Sequence, residues 1–211
     1  RIPKKNFKSF NGKPLFHWIL NTLISIEKIK KIIINTDAFD LIRDDTILSD
    51  DKIDLRERAG YICGDEVSMN EIIYDDISYS GDGIYVMTHT TNPLLSAKTI
   101  LRGLDFFLKM RKSQDIDSLF TVNRYQSRFY NSKLEPINHK KNILVPTQNL
   151  DPVFEENSNF YIFTNKSFIK NKNRIGNKPI MFETPFLESI DIDTFEDWRI
   201  AEIYANANEK P

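Results

Sequence analysis

The chain has 211 residues, of which 40% are hydrophobic and 28% are charged, so it is long enough and apolar enough to fold around a sizeable core. Its 29 basic and 30 acidic residues leave a net charge of −1, which argues against a general nucleic-acid or membrane-surface binder. No apolar run approaches the roughly 20 residues that a membrane-spanning helix needs.

The chain alternates between helical and strand patterns. Apolar residues at helical spacing predict helices at 14–27, 38–48, 68–79, 96–111 and 195–207. Short apolar or β-branched runs predict strands at 31–36, 53–56, 83–88, 118–122, 159–164 and 179–183. Such alternation is typical of βαβ units. We therefore predict an α/β fold, with a three-layer, Rossmann-like and mostly parallel sheet flanked by helices.

The segment 124–155 interrupts this alternation. It is polar, contains three prolines and offers only two short extended pieces, at about 130–137 and 142–146. We interpret it as a hairpin or arm that protrudes from the domain. No segment has the composition of a linker between domains, so we predict that residues 1–211 form a single domain.

The chain has a single cysteine, Cys63, which excludes an internal disulfide and is too little for a zinc site. Cys63 most simply fills a small apolar position. A chain without disulfides suits a reducing compartment, and we expect a cytoplasmic protein.

The segment 187–194 carries the most informative pattern. It reads as a strand in which Asp191 and Asp193 point to one face while Ile190 and Ile192 point to the other. Two carboxylates on one face suit Mg²⁺, which takes one or two carboxylates together with substrate phosphates. Thr194, with an acid three residues later, predicts the N-cap of the last helix. By spacing alone, the two aspartates fit solvated acids at a strand end equally well.

Four segments in order give the chain a family resemblance. Arg1-Ile2-Pro3-Lys4-Lys5-Asn6, followed by Asn11-Gly12-Lys13-Pro14-Leu15, resembles the opening of the CMP-acylneuraminate synthetases, which are cytidylyltransferases acting on 2-keto-3-deoxy sugar acids. Residues 91–94, T-N-P-L, are similar to the T-S-P-L turn of that family. Residues 156–163 are similar to its N-G-A-x-Y-I strand, and residues 189–194 match its S-I-D-I-D-T without a change.

The resemblance implies an activity and its partners. The enzyme would convert CTP and a sialic-acid-like nonulosonate, or a related 2-keto-3-deoxy sugar acid, to the CMP-sugar and pyrophosphate. Mg²⁺ would be the cofactor, and the chain would form a homodimer through the insertion at 124–155. In that family, a first strand and a phosphate loop containing Gly, Ser and Lys stand just before the position of Arg1.

The resemblance also implies residue roles. Lys5, Asp191 and Asp193 would be catalytic, the two aspartates as metal ligands. The nucleotide would be bound by Arg1, Lys5, Asn6, Arg56, Asp65 and Ser68. The sugar acid would be bound by His89, Asn157 and Tyr161. Without the resemblance, each has a simpler interpretation. Arg1, Lys5 and Asn6 would belong to an ordinary basic terminus, and Ser68 would cap a helix. Tyr161 would be a core residue, and His89 would be a structural histidine.

Departures from the family pattern leave the sugar open. Leu95 and Pro146 stand where the family has arginines, Glu57 replaces a proline, and His89 replaces a glutamine. Two alternatives therefore remain, which are a nucleotidyltransferase for a different sugar and a nucleotide-binding subunit that has lost turnover. The octulosonate branch lacks support because its Q-G-D-E-P motif is absent at 89–93. The intact aspartate pair argues against lost turnover.

Overall fold

The computed structural model describes residues 2–208. The helices in this range are α1 (Leu15–Ile24), α2 (Phe39–Ile42), α3 (Met69–Ser80), α4 (Ala97–Gln114), α5 (Asn165–Asn171) and α6 (Phe195–Asn208). The strands are β1 (Ser9–Phe10), β2 (Lys13–Pro14), β3 (Ile32–Thr36), β4 (Ile53–Glu57), β5 (Ile84–Thr88), β6 (Ser118–Tyr125), β7 (Val153–Thr164) and β8 (Pro179–Glu183).

Helices cover both faces of the main sheet, which makes three layers. On one face, α1 and α4 pack against Phe160 and Ile162 of β7. On the other face, α3 and α5 pack against Tyr161 and Phe163 of the same strand. The alternating side chains of β7 thus serve two cores, because successive residues of a strand point to opposite faces. The predicted three-layer α/β fold is confirmed.

The sheet is mixed around one strand. Its four-stranded part has the order β5-β7-β6-β8, in which β6 and β8 are parallel and β7 runs antiparallel to both β5 and β6. A parallel return needs a crossover, usually a helix. The connection from β6 to β7 contains no α-helix, and β7 returns antiparallel. Strands β3 and β4 form a separate parallel pair, whose apolar residues join the core beneath α1 and α4.

Two predicted elements differ from the structure. The helix predicted at 38–48 is only α2, followed by a 3-10 turn at Thr46–Ser49, because the side chain of Asp45 accepts the N–H of Ile47 and starts a new turn. The strand predicted at 187–194 is wrong. Residues Phe186–Ser189 form a 3-10 turn that the Ser189 hydroxyl closes onto the Phe186 carbonyl, and residues 190–194 are not assigned to a strand.

A long connection, residues 126–152, leaves the sheet between β6 and β7. Most of it is exposed, and the Asn138 amide closes its base by donating to the carbonyls of Ser127 and Asp151. Leu134, Ile137 and Leu144 are exposed on it. Contact of this arm with a second subunit stays a prediction.

None of the helices within residues 2–208 combines the length and apolarity needed to cross a bilayer. Cys63, a free cysteine, is half-buried, and its thiol faces the carbonyl of Ala59.

The tightest packing between a helix and the sheet generates a prediction. A Cβ added at Gly103 of α4 would lie 2.6 Å from the fully buried ring of Phe160. Gly103→Ala should therefore lower the free energy of unfolding by about 1–3 kcal/mol, despite the better helix propensity of alanine. Urea denaturation measures this. Gly60→Ala is the control, because its Cβ would meet nothing within 4 Å. Equal stability of Gly103→Ala and the wild type would contradict the tight contact.

Candidate active site at the carboxyl ends of the strands

Polar residues from four strands meet at one edge of the main sheet. His89 follows β5, Asn123 lies near the end of β6, and Thr184 follows β8. The antiparallel β7 brings its first half to the same edge. A cavity of about 320 Å³ lies at this edge and is lined by Asn123, Glu155, Glu156, Asn157, Ser158, Ser189 and Asp191. Open α/β sheets bind ligands at this edge, outside the carboxyl ends of the parallel strands.

The acidic segment beside the cavity is held by the residue between its two acids. Ile192 is fully buried in a cluster with Phe10 and Trp198. Its N–H donates to the carbonyl of Thr91 at 2.9 Å, and its own carbonyl accepts the Lys5 ammonium at 2.6 Å. Asp191 and Asp193 are both exposed. The predicted alternation of the two acids with a buried isoleucine is therefore correct, although the segment is not a strand.

Lys5 is the cation beside the two acids, and we call Asp191, Asp193 and Lys5 together the acidic corner. Its Nζ lies 2.5 Å from Oδ1 of Asp193, so the Asp193 and Ile192 contacts engage two of its three N–H donors. The next residue, Asn6, has a buried side-chain oxygen that finds no partner within the described chain. Thr194 caps α6 as predicted, because its hydroxyl accepts the N–H of Asp197 and its own N–H donates to the Asp197 carboxylate at 2.7 Å.

A buried polar network forms the floor of the cavity. The side-chain oxygen of Asn123 accepts from the amide of Asn157 at 2.9 Å and from the hydroxyl of Ser189 at 2.8 Å. The Asn157 amide also donates to the Thr184 hydroxyl, and its oxygen accepts the N–H of Asn159. Both N–H donors of Asn157 are therefore engaged by the protein. Asn157 lines the cavity, and its side-chain oxygen can still accept a hydrogen bond there, but its predicted contact with a sugar acid stays a prediction.

Tyr161 and Arg174 form the wall beyond this floor. The ring of Tyr161 is buried, and its hydroxyl donates to Glu156 and pairs with Ser158. The guanidinium of Arg174 lies over that ring, 4.1 Å from its centroid, and 3.8 Å from Oε1 of Glu156. Burial and the hydrogen bond to Glu156 raise the pKa of Tyr161, so its phenol stays protonated.

His89 lies where these groups converge. Its Nε2 is buried and has no hydrogen-bond partner among residues 2–208. Burial, and then the positive charge of Arg174, lowers the pKa of His89 below its usual value, while Asp191 opposes the shift. At neutral pH the imidazole is therefore uncharged and has one ring nitrogen available to a ligand.

The other predicted nucleotide residues lie around β4 and α3. Arg56 pairs with Asp75 at 2.9 Å and Asp76 at 2.7 Å, and stacks on Tyr79. Ser68 caps α3 by accepting the N–H of Asn70, and Asp65 is exposed. Within residues 2–208, no hydrogen bond or ion pair joins these residues to Lys5 or Asn6, so a shared pocket stays a prediction. Arg1 lies outside the described residues.

The carboxylates of Asp191 and Asp193 suit a magnesium ion whose remaining coordination positions are filled by a substrate. No group of three or more histidine, cysteine or acidic side chains that could hold a metal occurs within residues 2–208. Asp191 makes no hydrogen bond or ion pair in that range, and Asp193 meets only Lys5 through its side chain. Two carboxylates with open positions match the preference of Mg²⁺ for a few carboxylates plus phosphate oxygens.

A family model described as cytidylyltransferase matches residues 1–210 of this chain. The chain belongs to the cytidylyltransferase family. The family expected from the sequence motifs is thus confirmed.

Individual relatives are distant. N-acylneuraminate cytidylyltransferase A of Danio rerio is 23% identical over 209 residues, which cover 95% of this chain and 47% of the relative. The chain thus spans about half the length of that relative. Among solved structures, 4-diphosphocytidyl-2C-methyl-D-erythritol synthase from Anaerococcus prevotii superposes with a TM-score of 0.66 and 14% identity, covering 96% of this chain and 94% of the other. CMP:2-keto-3-deoxy-manno-octonic acid synthetase superposes with a TM-score of 0.64 and 11% identity, covering 99% of this chain and 94% of the other.

Several residues of the site have no role that the sequence predicts. Asn123 and Ser189 line the cavity, and Thr184 holds the Asn157 amide there, because distant segments of the chain meet at this edge of the sheet. Glu156 begins the segment 156–163 but has no predicted role, and Arg174, which belongs to no motif, comes from the connection between α5 and β8. The one usable signal was the polar residue at each strand end, since parallel strands end at one edge of a sheet.

The buried network generates a prediction. Asn123→Ala would leave one N–H of the buried Asn157 amide without its acceptor, whereas the Ser189 hydroxyl keeps the Phe186 carbonyl, so the free energy of unfolding should fall by about 1–3 kcal/mol. Chemical denaturation measures the change. Asn142→Ala is the matched control, because Asn142 is exposed on the arm and should change stability by less than about 0.5 kcal/mol. A loss no larger than that of the control would mean that the network contributes nothing to stability.

Proposed function

We propose that this protein is a CMP-sugar synthetase, which converts CTP and a 2-keto-3-deoxy sugar acid of the sialic-acid-like nonulosonate class to the CMP-sugar and pyrophosphate. The observation that carries the proposal is the corner where Asp191, Asp193 and Lys5 adjoin a polar cavity at the carboxyl ends of the strands. Membership of the cytidylyltransferase family and the low identity to an N-acylneuraminate cytidylyltransferase support the nucleotide and the class of sugar.

The reaction is a nucleotidyl transfer. The anomeric hydroxyl of the sugar acid attacks the α-phosphorus of CTP, and a new O–P bond forms as the bond to the oxygen bridging to the β-phosphorus breaks. Pyrophosphate leaves with that electron pair, and the hydroxyl proton is released to water. Catalysis of such a step rests on holding the two reactants in line and stabilising phosphate charge.

Charge stabilisation falls to the acidic corner. Asp191 and Asp193 would hold the Mg²⁺, which when bound neutralises phosphate charge and orients the phosphates. Lys5 has one N–H donor beyond its contacts with Asp193 and Ile192, and that donor suits a phosphate oxygen. The buried, unpartnered side-chain oxygen of Asn6 suits a donor on the nucleoside.

Selection of the base is assigned to the β4–α3 region. In this proposal the nucleotide also reaches Arg56, Asp65 and Ser68. Arg56 is held by two aspartates and a tyrosine, so it offers the nucleotide a fixed guanidinium edge.

The sugar acid occupies the cavity. Asn157 would accept from a sugar hydroxyl, since its N–H donors are already engaged. The neutral His89 imidazole would meet a second polar group through Nε2. Tyr161 is placed to shape the wall, because its hydroxyl is already bonded to Glu156 and Ser158.

We further propose that the protein acts in the cytoplasm as a homodimer joined through the arm. Exposed apolar side chains on the arm, such as Leu134 and Leu144, are suited to a subunit contact. Leu134→Glu combined with Leu144→Glu should shift the light-scattering mass at micromolar concentration from dimer to monomer. A monomeric wild type would contradict the dimer without touching the catalytic proposal.

A pyrophosphate-release assay on the full chain tests the function. CTP is compared with UTP, ATP and GTP in the presence of Mg²⁺ and a panel of 2-keto-3-deoxy acids that includes N-acetylneuraminate and 3-deoxy-manno-octulosonate. We expect release that depends on both CTP and a sugar acid. Release with a sugar phosphate, but with no sugar acid, would show that the enzyme belongs to a different branch.

The acidic pair generates the sharpest prediction. Asp191→Asn and Asp193→Asn keep the size of the side chain but remove a metal-ligand charge, so each should lower kcat by a factor on the order of 10² or more. Thermal midpoints should stay close to that of the wild type, because both side chains are exposed. Asp51→Asn, an exposed acid before β4, is the control. Near-normal turnover in both variants would mean that the pair is structural.

A further inference from the structure

The cavity poses an electrostatic problem for an acidic sugar. Three of the residues that line it, Glu155, Glu156 and Asp191, carry carboxylates. A sugar acid brings a further negative charge, and like charges at close range repel. Binding therefore needs a cation with unused hydrogen-bond donors at the cavity.

The positions where the resembled family has arginines do not supply that cation. Leu95 is 1% exposed and packs in the core with α1 and α4. Pro146 lies in the exposed arm and carries no charge. An arginine-type carboxylate contact has to come from elsewhere in this chain.

The positive charges of Lys5 and Arg174 both lower the pKa of His89, so both lie near it. Of these two cations, only Arg174 has most of its hydrogen-bond donors unused. Lys5 is engaged by Asp193 and by the Ile192 carbonyl. Arg174 makes no hydrogen bond within residues 2–208, and its nearest acid is Glu156 at 3.8 Å, beyond hydrogen-bond distance. Glu156 is itself engaged by the hydroxyl of Tyr161. The guanidinium therefore keeps most of its five donors for a ligand.

Arg174 is also held in place in advance. Its guanidinium stacks on the buried Tyr161 ring. The connection that carries it is pinned by Asp117, whose carboxylate accepts the N–H groups of Asn177 at 2.8 Å and Lys178 at 3.0 Å. The hydroxyl of Ser118 accepts the N–H of Gly176 at 2.8 Å. A fixed, stacked guanidinium binds a carboxylate with little further loss of entropy.

A second observation points to a ligand at the same place. His89 Nε2 is buried without a partner, which costs free energy unless a ligand or water fills the position. Arg174 is the nearby charge that acts most strongly on that imidazole. One acidic, polyhydroxylated molecule could meet both groups.

We propose that Arg174 is the residue that recognises the carboxylate of the sugar acid, replacing the arginines that are missing at positions 95 and 146. This inference rests on the proposed function. In a 2-keto-3-deoxy acid, the carboxylate and the anomeric hydroxyl sit on adjacent carbons. Holding the carboxylate on Arg174 therefore fixes the attacking oxygen, and Arg174 sets both the choice of an acid over a neutral sugar and the orientation of the nucleophile.

The test compares each acid with its own methyl ester, which is neutral at the same carbon. Pyrophosphate release is measured on the full chain with CTP and Mg²⁺, using N-acetylneuraminate, 3-deoxy-manno-octulosonate and their methyl esters. The variants are Arg174→Gln and Arg174→Lys. Lys166→Gln is the control, because it removes one positive charge from an exposed position on α5.

We expect Arg174→Gln to raise the KM for the acid by roughly 10- to 100-fold, in line with the loss of a charge-assisted contact. The KM for CTP should change by less than about twofold. The preference for acid over ester should collapse in Arg174→Gln, persist in part in Arg174→Lys and stay intact in Lys166→Gln. Because the preference is a ratio measured within one variant, a partly unfolded preparation does not distort it.

An unchanged acid-over-ester preference in Arg174→Gln would overturn this inference and leave the proposed function standing. No pyrophosphate release by the wild type with any acid would overturn the proposed function and this inference with it. If Arg174→Gln does not fold, Arg174→Lys decides. A preference equal to that of the wild type would then count against the inference, since lysine lacks the paired donors of a guanidinium.

Discussion

The geometry of the site depends on one buried side chain. Ile192 is anchored among Phe10 and Trp198, and hydrogen bonds hold its backbone on both sides. Because neighbouring residues of an extended segment point in opposite directions, burying Ile192 forces Asp191 and Asp193 outwards together. Apolar packing thus places two charges that would otherwise separate. The carbonyl of Ile192 also accepts the ammonium of Lys5, which begins a 3-10 turn at Lys5–Phe7. The cation and the two acids are therefore held side by side.

The antiparallel course of β7 gives the two halves of this strand different roles. Its two neighbours, β5 and β6, both end at the edge of the sheet that carries the cavity, and β7 begins there. Its first residues can therefore line a cavity, while its later residues serve the two cores. Ser158 has a positive φ of 55° at this point, and the pairing with β6 shifts register nearby. Such irregularities re-aim side chains next to active sites. Here the irregularity separates Asn157 from the core residues that follow.

Family membership and substrate rest on different residues of this chain. Family membership rests on the match over residues 1–210 as a whole. The departures from the family pattern are spread over the fold, since Leu95 is buried in the core, Pro146 lies on the exposed arm and His89 follows β5. The position of the acidic pair is fixed more firmly, because Ile192 between the two acids is packed from several sides. The stacked Arg174 shows how a loop outside the motifs can present a charge to the same cavity.

The sequence by itself determined the layer order, most element positions, the cap at Thr194 and the exposed pair Asp191 and Asp193. These follow from local periodicity and capping, which act over a few residues. It could not determine that residues 187–194 are not a strand, that β7 runs antiparallel, or that Arg56 is held by α3. Each of these depends on contacts between distant segments. Only the tertiary structure shows that Asn123 and Glu156 line one cavity with Asp191 and that Arg174 lies beside Glu156, because their convergence is set by sheet topology and packing.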